Sequence, residues 1–238
     1  MTSTYIIIAS LVSVGAVIAV RTHRLTVQAG IAGWLIALVM LYAIGHSAIA
    51  AMAAFFLLGT LSTSFRIGTK QRLNIAERDK GNRTAAQVFA NAGVPFIIAG
   101  LALADPGHHP LYTLMIAAAF SAATADTMSS ELGNLYGSKY YDIISFRRGT
   151  RGHNGVISIE GTLIGIAGSA IIAVVYALFH GFTYHVFIII IAGLIGNLAD
   201  SIIGATLERR GAIQNNTVNF INTATGALAA WGLSAVFY

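Results

Sequence analysis

The chain has 238 residues, 56% hydrophobic and 10% charged, with a mean hydropathy of +0.73, a formal net charge of +5 and a pI near 9.7. Such a composition cannot cover a water-soluble surface of this size, and cations confined to short gaps between apolar runs, with no separate basic domain, argue against nucleic acid as a partner. There is no cysteine. Disulfides, thiolate nucleophiles and thiolate metal sites are therefore excluded, and any metal must be held by oxygen or imidazole.

Measured against the roughly 20 residues needed to cross the hydrocarbon layer, the apolar runs give eight candidate spans. They lie near Thr4 to Val20, Leu25 to Ile44, His46 to Leu61, Thr84 to Ala104, Leu111 to Met128, Val156 to Phe179, Tyr184 to Leu207 and Val218 to Tyr238. The expected fold is an all-α polytopic transmembrane helical bundle forming one catalytic domain over residues 1–238. The first run has no basic residue before it and Arg21 after it, the reverse of a secretory signal, so it is expected to stay as an anchor. Pro95 lies inside the fourth run, whereas Pro106 and Pro110 sit in a turn. Small residues such as Gly161, Gly165, Gly168, Gly193 and Gly196 predict close helix packing.

All 14 Lys and Arg residues fall in every second gap: Arg21 and Arg24; Arg66, Lys70, Arg72, Arg78, Lys80 and Arg83; Lys139, Arg147, Arg148 and Arg151; Arg209 and Arg210. Basic loops are retained on the cytoplasmic side, which places these gaps inside and both termini outside. Tyr5, Tyr42, Tyr112, Tyr184 and Tyr238 then lie toward the outer ends. The expected location is the cytoplasmic membrane of a prokaryote, with the active site facing the cytoplasm.

Carboxylates inside spans are costly unless paired, wetted or bound to metal. Asp126, Glu131, Glu160 and Asp200 are four such acids, all near the inner boundary. Gly193, Asn197, Asp200, Gly204 and Glu208 follow three- or four-residue steps and share one helical face; Asn215, Asn219, Asn222 and Gly226 do the same, as do Arg83, Gln87 and Asn91. Polar stripes from three helices thus enter from the basic side. Ala125-Asp126-Thr127 is echoed by Ala199-Asp200-Ser201, although the rest of the two halves does not align.

Between the fifth and sixth spans the acids are followed by a loop of glycines, hydroxyls and cations, including Gly133, Gly137, Lys139, Arg147, Arg148, Thr150, Arg151, Asn154 and Ser158. Metal-bound polyphosphate needs these groups: hard oxygens for Mg²⁺, and exposed amides and guanidinium groups for phosphate. Neither GxxxxGK[ST] nor GxGxxG occurs, and GxSxG and HExxH are also absent. His108-His109 has no acidic cluster beside it, and His153 reads first as a solvated loop histidine and second as a phosphate contact.

Several blocks resemble a known family of integral membrane proteins that includes the phytyl-phosphate kinase of plastids. They are Leu25-Thr26 to Gly30, Asn82-Arg83-Thr84 to Gln87 and Asn91-Ala92-Gly93, Ala125-Asp126-Thr127 to Glu131-Leu132-Gly133, Gly149-Thr150 to Asn154-Gly155-Val156 with Ser158, and Asp200-Ser201 to Gly204-Ala205-Thr206-Leu207. The stretch from Asp126 to Lys139 also looks like the signature of phosphatidate cytidylyltransferases and dolichol kinases. The segment GTRGHNG is less glycine-rich than the family's GTNGG form.

The resemblance implies a membrane kinase that extends a prenyl monophosphate to the diphosphate using CTP or another nucleoside triphosphate with Mg²⁺. Asp126, Glu131 and Asp200 are the expected metal ligands and, with Arg83, the expected catalytic residues. Lys70, Lys80, Lys139, Arg147, Arg148 and Arg151 are expected on the phosphates. Gln87, Asn91, Thr150, Asn154, Ser158, Asn197, Asn219 and Asn222 complete the nucleotide- and phosphate-binding set. Expected partners are the lipid bilayer, the prenyl phosphate and the nucleotide; a homodimer is compatible with this reading. The alternatives are a CTP-dependent cytidylyltransferase making a CDP-lipid and, from a different class, a membrane transporter.

Overall fold

Lipid offers no hydrogen bonds to the backbone, so long Ile-, Leu-, Val- and Ala-rich runs close on themselves as helices. The computed structural model describes residues 2–76 and 81–236; Arg78, Lys80 and Tyr238 lie outside them. In chain order the helices are α1 Thr2–Arg21, α2 Val27–Ala43, α3 His46–Ser64, the short α4 Ile67–Arg72, α5 Ala85–Ala104, α6 His109–Tyr136, α7 Ile159–His180, α8 His185–Ile203 and α9 Asn215–Ser234. A two-stranded antiparallel hairpin, β1 Tyr141–Asp142 with β2 Val156–Ile157, interrupts them and pairs Tyr141 with Ile157.

Among the described residues six helices are long and apolar enough to cross a membrane, and α2 is apolar but only 17 residues long. The eighth expected span differs. The helix α9 begins at Asn215 instead of Val218, and its first half carries Asn215, Asn216, Thr217, Asn219, Asn222 and Thr223, which lowers its hydropathy. The expected fifth span, ending at Met128, continues as helix to Tyr136 because Ser129, Ser130 and Asn134 prolong a polar face already begun at Asp126.

At the centre stands α6, packed against α3, α5, α7, α8 and α9. Its small residues Ala117, Ala118, Ala119, Ala122 and Ala123 are buried and let the neighbours approach. A Cβ on Gly133 would lie 2.5 Å from the Cα of Gly161, so the α6–α7 crossing requires glycine there. The main core joins Met40, Ile98, Leu114, Ile116, Phe120, Ile172 and Ile189. Pro95 is accommodated within α5, whose start is fixed by a capping box between Thr84 and Gln87.

The basic stretches converge on one end of the bundle. Arg83 N–H donates to Arg24 O at 3.0 Å, Arg24 donates to Ser64 Oγ at 2.7 Å, and Arg209 donates to Asp142 Oδ2 at 2.7 Å. At the other end Tyr5 meets His46, Asp105 meets His108 and Tyr112, and Tyr176 meets His180 and His185. The alternation of charge along the sequence is therefore an alternation of ends.

Candidate functional site

At the basic end a polar cleft of about 300 Å³ opens among α5, α6, α8, α9 and the segment 152–162. Four helices supply it by periodicity. On α6, Asp126, Ser129, Ser130, Gly133 and Asn134 fall at steps of three or four and face the cleft; on α8, Asn197, Asp200 and Ser201 do so. From α9 come Asn215 and Asn219, and from α5 Gln87 and Asn91, with Arg83 just before it.

The two echoed aspartates meet here. The carboxyl of Asp200 lies within hydrogen-bonding reach of Asp126 and of the Asn222 side chain, with Glu208 close enough to act on it electrostatically. Carboxylates in contact repel one another unless a proton or a cation lies between them. Asp200 Oδ2 and Asn222 Oδ1 are buried without a hydrogen-bond partner among the described residues. Ser129 Oγ donates to Asn197 Oδ1 at 3.1 Å, fixing α6 to α8 beside the acids.

These orphaned hard oxygens fit a divalent cation. Among the described residues no three His, Asp or Glu side chains are grouped as a metal cage. That suits Mg²⁺, which is commonly held by one or two carboxylates together with substrate phosphates and water. Asp126 and Asp200 are the residues that would hold it.

Arg83 reaches the cleft along α3, with its guanidinium 5.4 Å and 5.6 Å from the ring centroids of Phe55 and Phe56 and directly over Gly59. A side chain at Gly59 would collide with it. Gln87 accepts the Thr84 N–H at 2.8 Å and Asn91 donates to Gln87 O at 3.0 Å, so both amides also secure the start of α5. Ser158 lines the cleft while capping α7, accepting the Gly161 N–H at 3.0 Å.

Other expected site residues are elsewhere. Glu131 does not join the two aspartates: five residues beyond Asp126 on a helix, it points about 140° away and forms a buried ion pair with Lys70. Lys70 is fully buried, also donating to Ser62 O at 2.6 Å, and does not line the cleft. Arg148 stacks over Tyr141, and Arg151 over Tyr140 while bonding Gly137 O. Lys139, Arg147 and Thr150 are exposed and outside the cleft lining, and Asn222 stands behind it against Asp200. Lys80 lies outside the described residues.

The cleft also contains residues outside the expected catalytic and binding set. Ser129, Ser130 and Asn134 lie beyond the expected end of the fifth span; Asn215 and Glu208 were on the recognised stripes; His153 is on the glycine-rich segment. Glu208 belongs to a π-helical turn, Gly204–Glu208, a distortion frequent at functional sites. Gly155, at φ +73, lies so close to Ala205 on this turn that no side chain would fit between them.

Arg209 latches the segment to α8 by bonding both Asp142 Oδ2 and Asn154 O. The Ser145 N–H, and then Arg209, hold the Asp142 carboxyl well below the usual carboxylate range. A depressed folded-state pKa means that this contribution is complete above the unfolded value, near 3.9, and fades only as pH falls from there through the folded one. Protection of the Arg147–Arg151 stretch from trypsin should thus be constant from about pH 5 to 8. Asp142→Asn should accelerate that cleavage across the same range.

Comparison with known proteins agrees with this architecture. The profile described as Integral membrane protein DUF92 matches residues 10–227. The chain is 31% identical over 195 residues to Protein VTE6, chloroplastic, of Arabidopsis thaliana, covering 79% of this chain and 59% of that protein. It is 34% identical over 190 residues to the uncharacterized membrane protein MJ0933 of Methanocaldococcus jannaschii, covering 80% and 77%. With the uncharacterized membrane protein sll0875 of Synechocystis it shares 32% over 212 residues, covering 85% and 80%. The chain thus spans about three fifths of the plastid relative's length. No solved structure matches it. A profile match across nearly the whole bundle, including both aspartates and every helix wall of the cleft, makes the chain a member of the DUF92 family of integral membrane proteins.

Proposed function

We propose that the protein is a membrane kinase that transfers the γ-phosphoryl group of a nucleoside triphosphate, CTP in the leading reading, to a prenyl monophosphate. The observation that carries this reading is the meeting of Asp126 and Asp200, with orphaned hard oxygens beside them, in a polar cleft at the basic end of a lipid-embedded bundle. Supporting it is the resemblance of the Arg83, Asp126, Thr150–Asn154 and Asp200 blocks to the family that includes a plastid phytyl-phosphate kinase. With the basic loops on the cytoplasmic side, the cleft would face soluble nucleotide.

Mg²⁺, when bound, would supply charge neutralisation between the donor phosphates. An oxygen of the acceptor monophosphate bonds to the γ-phosphorus as the bond from that phosphorus to the β–γ bridging oxygen breaks, giving prenyl diphosphate and nucleoside diphosphate. The acceptor is already ionised, so no strong general base is needed and catalysis rests on alignment and charge stabilisation. Arg83 would take phosphate charge inside the cleft, while Asn91, Asn197, Asn215 and Asn219 orient phosphates or base.

Phytyl monophosphate in proteoliposomes, supplied with CTP labelled separately at the α and γ positions, tests the reaction. Label from γ alone should appear in a lipid diphosphate. Label from α would instead establish cytidylyl transfer, and solute uptake without nucleotide would establish a carrier.

A further inference from the structure

A second cavity, a groove of about 370 Å³, lies between α5 and α9 on the other side of the cleft wall. Its aromatic lining, Phe89 and Phe96 from α5 and Phe220 from α9, remains partly exposed at the bundle surface. In a lipid-embedded bundle that surface meets hydrocarbon.

The groove and the cleft are two faces of the same pair of helices. On α5, Gln87 and Asn91 line the cleft while Phe89 and Gly93 line the groove; on α9, Asn215 and Asn219 line the cleft while Asn216 and Phe220 line the groove. The first turns of both helices therefore border both cavities. Along the groove, Asn216 and Thr217 lie at the basic end and Ile97 lies three turns further along α5. The distance from Ala86 to Ile97 is about 16 Å of helix at a rise of about 1.5 Å per residue. Polar at one end, aromatic along its length and bordered by the same first helical turns as the polar cleft, this path fits a single-chain amphiphile with an anionic head.

We infer that this groove holds the hydrocarbon chain of the phosphorylated acceptor, with its head entering the cleft between Gln87 and Asn215. The inference rests on the proposed lipid-phosphate acceptor. Gly93 sets the depth of the groove, because a Cβ there would lie 3.1 Å from Cε2 of Phe220. A larger side chain at this position would fill the path about two turns from the head, beyond the reach of a five-carbon chain but not of a twenty-carbon one.

Gly93→Leu should raise KM for phytyl monophosphate by about tenfold or more, while leaving KM for nucleotide and turnover of dimethylallyl monophosphate within about twofold. Phe220→Trp, which fills the same groove from the other helix, should have the same selective effect and covers failure of the first variant to fold. An equal change for both acceptors, or no change for either, overturns the inference while leaving the kinase reading intact. A phytol analogue with a diazirine on its chain gives a readout independent of turnover. Labelling should concentrate on the peptides containing Phe89 to Ile97 and Phe220 and fall in Gly93→Leu. Uniform labelling of all lipid-facing helices, the pattern of bulk-lipid occupancy, overturns it even if phosphoryl transfer is observed. Concentrated labelling without phosphoryl transfer would retain the groove as a lipid site and reject the kinase.

Discussion

Asp126→Asn and Asp200→Asn should each reduce lipid-phosphate phosphorylation by about 10²-fold to 10³-fold while leaving the melting temperature unchanged or raised. The two halves of this expectation have one cause. In the absence of a cation, the adjoining carboxyls repel each other and Glu208 adds to the field; an amide in place of either removes that repulsion. The amide also removes one of the two anionic ligands available to a divalent ion, because no third acid completes a cage here among the described residues. A variant that is inactive but no less stable is what a binding site predicts. If either variant instead unfolds while the folded fraction turns over normally, the aspartates are part of the framework.

Lys70→Met and Glu131→Gln should do the reverse, costing stability with little specific effect on turnover. Their ion pair is buried, Lys70 of α4 reaching Glu131 near the end of α6, and Glu131 Oε1 has no hydrogen-bond partner among the described residues. Removing Lys70 leaves a buried carboxylate uncompensated, a loss of about 3–5 kcal/mol. That corresponds to a fall in melting temperature of about 6–20 °C. The double variant Lys70→Met with Glu131→Leu should recover most of that loss, because replacing both charges by packed apolar groups is often neutral. Its folded fraction should retain turnover within about threefold of wild type, since neither residue lines the cleft. A double variant with restored stability and no turnover would return Glu131 to the catalytic set.

The contrast between these two pairs explains what the sequence could reveal. Charge sidedness is a property of order along the chain, so the basic gaps were readable before any contact was known, and their loops do meet at one end. Periodicity likewise placed Asn197 with Asp200, and Gln87 with Asn91, on single faces that line the cleft. It does not say which neighbour a face meets. Asp126 and Glu131 are close in sequence and both acidic, but their helical angle sends one to Asp200 and the other to Lys70.

The connection between α6 and α7 carries little of its structure in its pattern of residues. Its cations suggested phosphate ligands, but Arg148 and Arg151 lie over Tyr141 and Tyr140, and the parts of this connection that line the cleft are Gly152–Ser158. The hairpin that turns them away has only two residues per strand, too few to carry an alternating pattern. Helix length departs from span length for a related reason. Where a helix leaves the apolar layer but keeps one face in a polar cleft, as α6 does from Ser129 to Tyr136 and α9 does from Asn215, hydropathy ends the span before the helix ends.

On the proposed function, Asp126 and Asp200 together hold a divalent cation with nucleotide phosphate. Binding of Mn²⁺ as a paramagnetic stand-in, measured by electron paramagnetic resonance on purified protein with CTP, tests it most directly. One nucleotide-dependent ion per wild-type chain, lost in the Asp126→Asn, Asp200→Asn double variant, is the predicted result. Equal nucleotide-dependent binding by the wild type and the folded double variant would contradict it.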